Sequence, residues 1–463
     1  MGYVKRVFLL LLPAAFIALQ ADSAVADPWV QIITNGFGDT NNEGVGWVQN
    51  FNGSIYVALD RATGSTGGAV IIRSSDLTNW SWVVGPGTAT VLSDTVTEII
   101  RITAGTNDFY FGTHDSAQNP ARVYHSTDGT SWSHITTVGN GYAPSGNSSI
   151  GGLAVLGTNL FTATVNNNGG QIWRSRLDGV GYVKMADFSN GFHIGTGANT
   201  NINFISYLYA ATNNILYAST GHLSNGVPAP PHEGFLYQSG DGGSSWTTNS
   251  GVGLCFGDTN NWHIACMLEF RGCLYAAINN SAEGGQLWRT ADGTNWVEVL
   301  SNGINDARSV ELHHLSVDNG FLWVATLPAP GFADEVWRSS NGTNFTQSCL
   351  PGFGDADNAS RYPSVGGLGS NEFFGVRNLA TGAQVWQLGP IIDSPTMQIS
   401  PATNNLLLAW PELALGFNLE TATNLASPVA WLQSTNAPLV TNSQQSVSVT
   451  ATSGGGFHRL CRP

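Results

Sequence analysis

The sequence predicts an all-β chain: a seven-bladed β-propeller closed by its N-terminal strand, followed by a small C-terminal β-sandwich. Three observations carry this. One short pattern recurs seven times, and each copy is too small to bury its own hydrophobic face. The seventh copy lacks its last strand. A strand matching the missing one stands near the start of the chain.

Each copy reads as four strands, a to d. Strand a ends at a pair such as Asn52-Gly53, Arg271-Gly272 or Asn319-Gly320, which suits a type I′ hairpin with φ > 0 at both positions. Strand b carries an apolar or aromatic pair: Ile55-Tyr56, Phe109-Tyr110, Leu160-Phe161, Leu216-Tyr217, Leu274-Tyr275, Leu322-Trp323 and Phe373-Phe374. Strand c holds Ile71-Ile72, Val123-Tyr124, Ile172-Trp173, Leu236-Tyr237, Leu287-Trp288, Val336-Trp337 and Val385-Trp386. Strand d starts at Trp80, Trp132, Tyr182, Trp246, Trp296 and Phe345, and no seventh copy follows Trp386. The run Trp29 to Phe37 mirrors Trp296 to Ile304, a strand d with its exit. It is expected to complete the last blade, which leaves no long unpaired sheet edge. After Pro390 the pattern changes to short strands around Gln398, Leu407, Asn418, Ser448 and His458, the length of a compact sandwich module. The expected boundaries are 1–26 for a signal peptide, 27–389 for the propeller and 390–463 for the sandwich.

Composition agrees with short strands and tight turns. Of 463 residues only 10% are charged, and 56 are glycine. Lys5 and Arg6, the apolar run Val7 to Leu19, and Ala24-Val25-Ala26 form the three parts of a secretory signal, with cleavage expected after Ala26 and an extracytoplasmic mature chain. The net charge of −14 and the lack of a basic stripe exclude a typical nucleic-acid binder. No other segment is long and apolar enough for a membrane span. The five cysteines fit no zinc spacing, and Cys266 and Cys273 do not face each other in the hairpin register.

The c–d turns resemble the Asp-box, or bacterial-neuraminidase repeat. Ser239 to Trp246 fits the family pattern Ser-x-Asp-x-Gly-x-Thr-Trp with Ser for Thr. Ser126 to Trp132 and Thr290 to Trp296 are one residue shorter, Ser74-Ser75-Asp76 lacks the glycine, and Ser339 to Phe345 has Asn341 for Asp. The resemblance spans roughly residues 29–389 and implies a sialidase-like propeller. In that superfamily these turns hold blades together on the face away from the active site. Its members include sialidases, xyloglucan-active hydrolases and non-enzymatic assembly factors. The Phe/Tyr-Arg-Ile-Pro motif of sialidases is missing, the corresponding stretch reading Gly44-Val45-Gly46-Trp47, and classical sialidases have six blades. The C-terminal module resembles the fibronectin-III-like modules of secreted bacterial proteins.

Chemistry is expected at the channel mouth. Aligning strands a on their hairpin turns gives a column of Gly44, Glu98, Ser149, Ile205, His263, Glu311 and Tyr362. Two residues on come Gly46, Ile100, Gly151, Tyr207, Ala265, His313 and Ser364. Glu98, His263, Glu311 and Tyr362 are the candidate catalytic groups, with Trp262, Arg308, His313 and Arg361 as ligand-binding neighbours. Three d–a loops, at Asp39, Asp258 and Asp355, either hold Ca²⁺ or cap themselves as Asx turns. No other cofactor or metal is expected.

These residues suit a secreted carbohydrate-binding propeller that takes glycan or polysaccharide at its funnel. Two alternatives stay open at the same place. A glycoside hydrolase would use Glu98 or Glu311 as acid/base. A polysaccharide lyase would move a proton with His263 and Tyr362 while Arg308 or Arg361 neutralises a uronate. A non-catalytic scaffold with a protein partner is the third class.

Overall fold

The structure is a computed structural model that describes residues 26–462, except 116, 118–119, 144–145, 167–168, 187–192, 195–196, 199–203, 222, 225–226, 229–234, 250–254, 361, 428 and 451–455. Residues 1–25 of the expected signal segment and Arg361 therefore lie outside the described residues. Among the described residues no helix is long and apolar enough to cross a membrane.

The chain is all-β and folds as a propeller. Among the described residues, antiparallel pairing groups the propeller strands into seven four-stranded units, some of them joined through single bridges into larger sheets. The first is Asn42–Phe51, Ser54–Arg61, Val70–Ser74 and Ser81–Val84. The innermost strands of the others are Glu98–Ala104, Asn147–Leu156, Phe204–Ala210, Asn261–Phe270, Ser309–Asp318 and Ser364–Leu368. Each touches the next, and Ser364–Leu368 returns to Asn42–Phe51, so the ring closes. The hairpin pairs take φ of 45° and 70° at Asn52-Gly53, 48° and 76° at Arg271-Gly272, and 53° and 78° at Asn319-Gly320. These are the positive values a type I′ turn requires.

Val30–Ile33 pairs antiparallel with Gln384–Leu388, with Val30 opposite Gln387 and Ile33 opposite Val385, and so forms the outer strand of the last sheet. Ile33 packs with Phe373 and Val385. Beside it the Arg338 guanidinium holds Asp27 at 2.8 and 2.9 Å, and the Trp29 indole donates to Ser348 O at 3.1 Å. The strand leaves through a left-handed turn: Asn35, Gly36 and Phe37 have φ of 52°, 58° and 59°. Asn302, Gly303 and Ile304 repeat it. Glycine is needed at the centre, because a Cβ on Gly36 would lie 2.5 Å from Asn42 O and one on Gly303 2.5 Å from Ser309 O.

The c–d turns are hydrogen-bonded units. Asp128 Oδ1 accepts from the Thr130 and Ser131 amides at 2.7 Å each and from the Ser126 hydroxyl. Asp292 does the same with Thr294 and Asn295, and neutral Asn341 with Thr343 and Asn344. These donors hold Asp76, Asp128 and Asp292 ionised far below the usual carboxylate range. Where the glycine is missing, Leu77 itself takes φ of 65°.

The turn glycine also meets the blade before it. A Cβ on Gly129 would lie 1.9 Å from the Tyr56 hydroxyl, and one on Gly342 2.0 Å from that of Tyr275. Gly293 stands in the same way against Tyr217, and Gly243 against Phe161. The strand-b aromatic of one blade thus fills a seat that only glycine leaves open in the next. The Tyr110 hydroxyl reaches across likewise, to Leu177 O at 2.7 Å.

Beyond Leu388 two smaller sheets face a shared core. One orders Gln398–Ala402, Asn405–Pro411, Gln444–Thr450 and Leu439–Thr441; the other orders Leu432–Gln433, Asn418–Ala422 and Phe457–Cys461. Leu408, Trp410, Ala414, Leu419 and Val447 fill the space between them. Cys266, Cys273, Cys349 and Cys461 are all free thiols, with Cys266 opposite Ala277 and Cys273 opposite Phe270.

Truncating the closing strand's anchor tests the ring. Ile33→Ala is expected to lower the unfolding free energy by about 2–5 kcal/mol, the range for emptying a core isoleucine site. Urea unfolding followed by tryptophan fluorescence measures it, and a change within error would mean that this strand does not close the ring.

Candidate ligand site at the channel mouth

The inner strands position the site, and they carry an irregularity that strict alternation misses. In six of them the pairing register slips in mid-strand, at Gly46, Ile100, Gly151, Ser206, Ala265 and His313, and four of these slip once more near the strand start, at Glu43, Ser148, Trp262 and Val310. Such a bulge inserts one extra residue and restarts the alternation. Matching the bulges puts Phe204, not Ile205, in the upper channel row. Ile205 is fully buried between blades, where the Gly151 Cβ position lies 1.8 Å from its carbonyl oxygen. Below the bulge the channel side chains are Trp47, Arg101, Tyr207 and His314, one position later than period two gives.

In the upper row Glu311 is buried and both its oxygens are engaged. Oε1 meets His313 Nδ1 in a short contact, and Oε2 accepts from Asn279 Nδ2 at 2.5 Å. Burial alone would raise this carboxyl, but the charge and hydrogen bond of His313, then His263 and Asn279, hold it down at about 2. His263 is enclosed by Phe204 at 5.6 Å and Trp262 at 4.3 Å between ring centroids. Its imidazole is pushed down to about 4, chiefly by burial, with Glu311 opposing and His313 and Arg101 adding to the shift. The Tyr362 ring lies 5.5 Å from that of His313. Tyr362 also lines a small recess with Glu98, Glu43, Asp60 and Arg377.

The structure therefore gathers His263, Glu311, His313, Tyr362 and Trp262 around one mouth, with Glu98 on the recess beside Tyr362. Arg308 is not brought in: it is exposed, paired with Asp306 and laid over the Phe332 ring at 4.7 Å. Sequence reasoning missed Phe204, Asn279, Arg377 and Glu43. Arg377 pairs with Glu43 and crosses Gly44, whose Cβ position is 3.3 Å from the arginine Cγ. The glycine in that column was the available signal, since it leaves room for a neighbouring chain.

The d–a loop carboxylates cap their own loops. Asp39, Asp258 and Asp355 accept from the amides of Asn41, Asn260 and Asp357 at 3.0, 2.8 and 3.0 Å. Among the described residues no group of three His, Cys, Asp or Glu side chains is placed to hold a metal ion.

No family model and no curated protein matches the chain. Solved structures resemble its fold. A GH74 enzyme from Niastella koreensis aligns over 83% of this chain and 59% of its own, at 15% identity and a TM-score of 0.50. A GH74 xyloglucanase from Xanthomonas campestris aligns over 83% and 60%, at 17% identity and a TM-score of 0.50. The chain spans about three fifths of the length of these two enzymes. A sialidase from Trypanosoma rangeli aligns over 89% of both chains, at 11% identity and a TM-score of 0.45. The shared property is the propeller fold.

The histidine environment has a direct readout. The folded value of His263, about 4, lies below its unfolded value near 6.5. The folded state then binds fewer protons between those limits, so this group's contribution to stability falls as pH drops from about 6.5 toward 4. Glu311 acts the same way lower down, between about 4.5 and 2. Nitrogen NMR should find the His263 ring neutral at pH 5.5, and a protonated ring there would contradict the burial described.

Proposed function

We propose that the chain is a secreted glycan-binding propeller that takes sugar rings at this mouth without cleaving them. The observation carrying this reading is the state of Glu311. A general acid must hold a proton near working pH, whereas this carboxylate is held ionised with both oxygens engaged, which makes Glu311 unfit for the acid role and leaves it a hydrogen-bond acceptor at the mouth. Around it Phe204, Trp262 and Tyr362 remain partly exposed. Such rings stack on sugar faces while amides and carboxylates meet hydroxyls.

The likeness to glycoside hydrolases supports carbohydrate activity at the level of fold, and fold alone does not fix function. Export follows from the Lys5-Arg6 charge, the apolar run to Leu19 and the Ala24-Val25-Ala26 site. The reading includes the boundaries 27–389 and 390–463, with the sandwich as an accessory module. One observation favours an enzyme instead: His313, oriented by Glu311, has Tyr362 beside it, an arrangement able to move a proton. A lyase would use that pair in place of His263.

A glycan array followed by product analysis separates these. Wild type is expected to retain at least one neutral glycan, Trp262→Ala to lose it by tenfold or more, and no new ends to form. Cleavage that disappears in Glu98→Gln or Glu311→Gln would establish a hydrolase and overturn the reading. Unsaturated product that disappears in His313→Gln would establish a lyase.

A further inference from the structure

Below the bulges the channel opens into a second cavity of about 340 Å³, reached from the opposite end and lined by Trp47, Arg101, Tyr207, His314 and Val365 among others. Arg101 stands at its inner end. Its Nε donates to Gly151 O at 2.7 Å, Nη1 to Ile100 O at 2.6 Å and Nη2 to Ser206 O at 2.5 Å. All three acceptors are bulge residues, whose carbonyls the register slip frees from the ladder. A guanidinium has five N–H donors, so two are left over. Trp47 and Tyr207 cover it at 5.6 and 5.4 Å from their ring centroids. Among the described residues no carboxylate forms an ion pair with it.

Two more donors lie on the same wall. His314 Nδ1 accepts from the Val365 amide at 3.1 Å, which places the ring proton on Nε2. The Trp47 indole N–H is buried with no hydrogen-bond partner among the described residues, in a residue only 6% exposed. The two rings are 4.6 Å apart. An unmet buried donor is costly, a half-buried cation without a counter-ion is poorly screened, and one acceptor with negative charge relieves both. The acid on this cavity, Asp318, is four residues beyond His314, roughly 13 Å along the strand. It accepts from the Ser316 hydroxyl and turns against Gly367.

We propose that this cavity is a second ligand site, for a small organic carboxylate whose acid group is held by Arg101, His314 and the Trp47 indole. Ala154, Tyr209 and Leu268, on the channel side of their strands by the alternation below the bulges, give its body an apolar wall. The site is distinct from the sugar-binding mouth and faces the other end of the channel.

The Trp47 indole N–H resonance reports on the site directly. Sodium formate and sodium benzoate are titrated into the ¹⁵N-labelled protein against sodium chloride at equal ionic strength. Both carboxylates should shift that resonance saturably, benzoate at lower concentration because its ring meets the apolar wall. His314→Phe, which keeps an aromatic ring and removes the donor, should weaken binding at least tenfold while the other indole resonances stay in place. A shift that tracks ionic strength alone, no saturation, or equal affinity in His314→Phe would overturn the proposal. Trp262→Ala should leave this binding unchanged.

Discussion

The structure rests on one repeated contact: an aromatic side chain of one blade seated against the glycine of the next blade's c–d turn. Each blade is a small sheet that cannot bury both faces alone. Tyr56 on Gly129, Phe161 on Gly243, Tyr217 on Gly293 and Tyr275 on Gly342 tie consecutive blades at the same height. The turn Asp or Asn fixes the loop through the amide hydrogen bonds it accepts, and Tyr275 adds a hydrogen bond to Gly342 O at 3.2 Å. With the blades spaced this way, the innermost strands form a ring and their bulges align around one axis.

That axis is divided by Arg101. It belongs to the second blade, yet it donates to carbonyls of the third and fourth and lies against the ring of Trp47 from the first. Four blades are thereby held at one point in the channel. Above it lie Glu311, His313, His263 and Tyr362; level with it, at the inner end of the lower cavity, lie Trp47 and His314. The buried histidines at these two levels are both held neutral, His263 at about 4 and His314 at about 3, burial being the first cause in each. One channel therefore presents two chemically different ends, an aromatic and amide-rich mouth and a cation-floored cavity.

The propeller was legible because its signals are local. Asn-Gly hairpins, Ser-x-Asp-Gly turns and alternating strands each follow from the backbone needs of a few residues. The closing strand was legible because Trp29 to Phe37 repeats the form of Trp296 to Ile304, left-handed exit included. The upper channel row was legible except in the fourth blade, where Phe204 replaces Ile205. A bulge leaves no mark in the spacing of one strand, and the Ser206 bulge became visible only through its pairing with the neighbouring strand. The same cause hid Arg101, Trp47 and His314. Arg308 was misjudged because proximity in sequence does not fix direction: Asp306, two residues away, binds it at the surface.

The central claim is that the tyrosine and the turn glycine act as one unit across the blade boundary. A double-mutant cycle on Gly342→Ala and Tyr275→Phe, read by chemical unfolding, tests it most directly. The account predicts strong coupling. Gly342→Ala alone should be severely destabilising, because the new methyl meets the tyrosine hydroxyl, and removing that hydroxyl should restore about 1 kcal/mol or more of the loss. Additive effects would mean that the alanine acts only through its own positive φ of 77°, and the seat would then not be what holds the blades together.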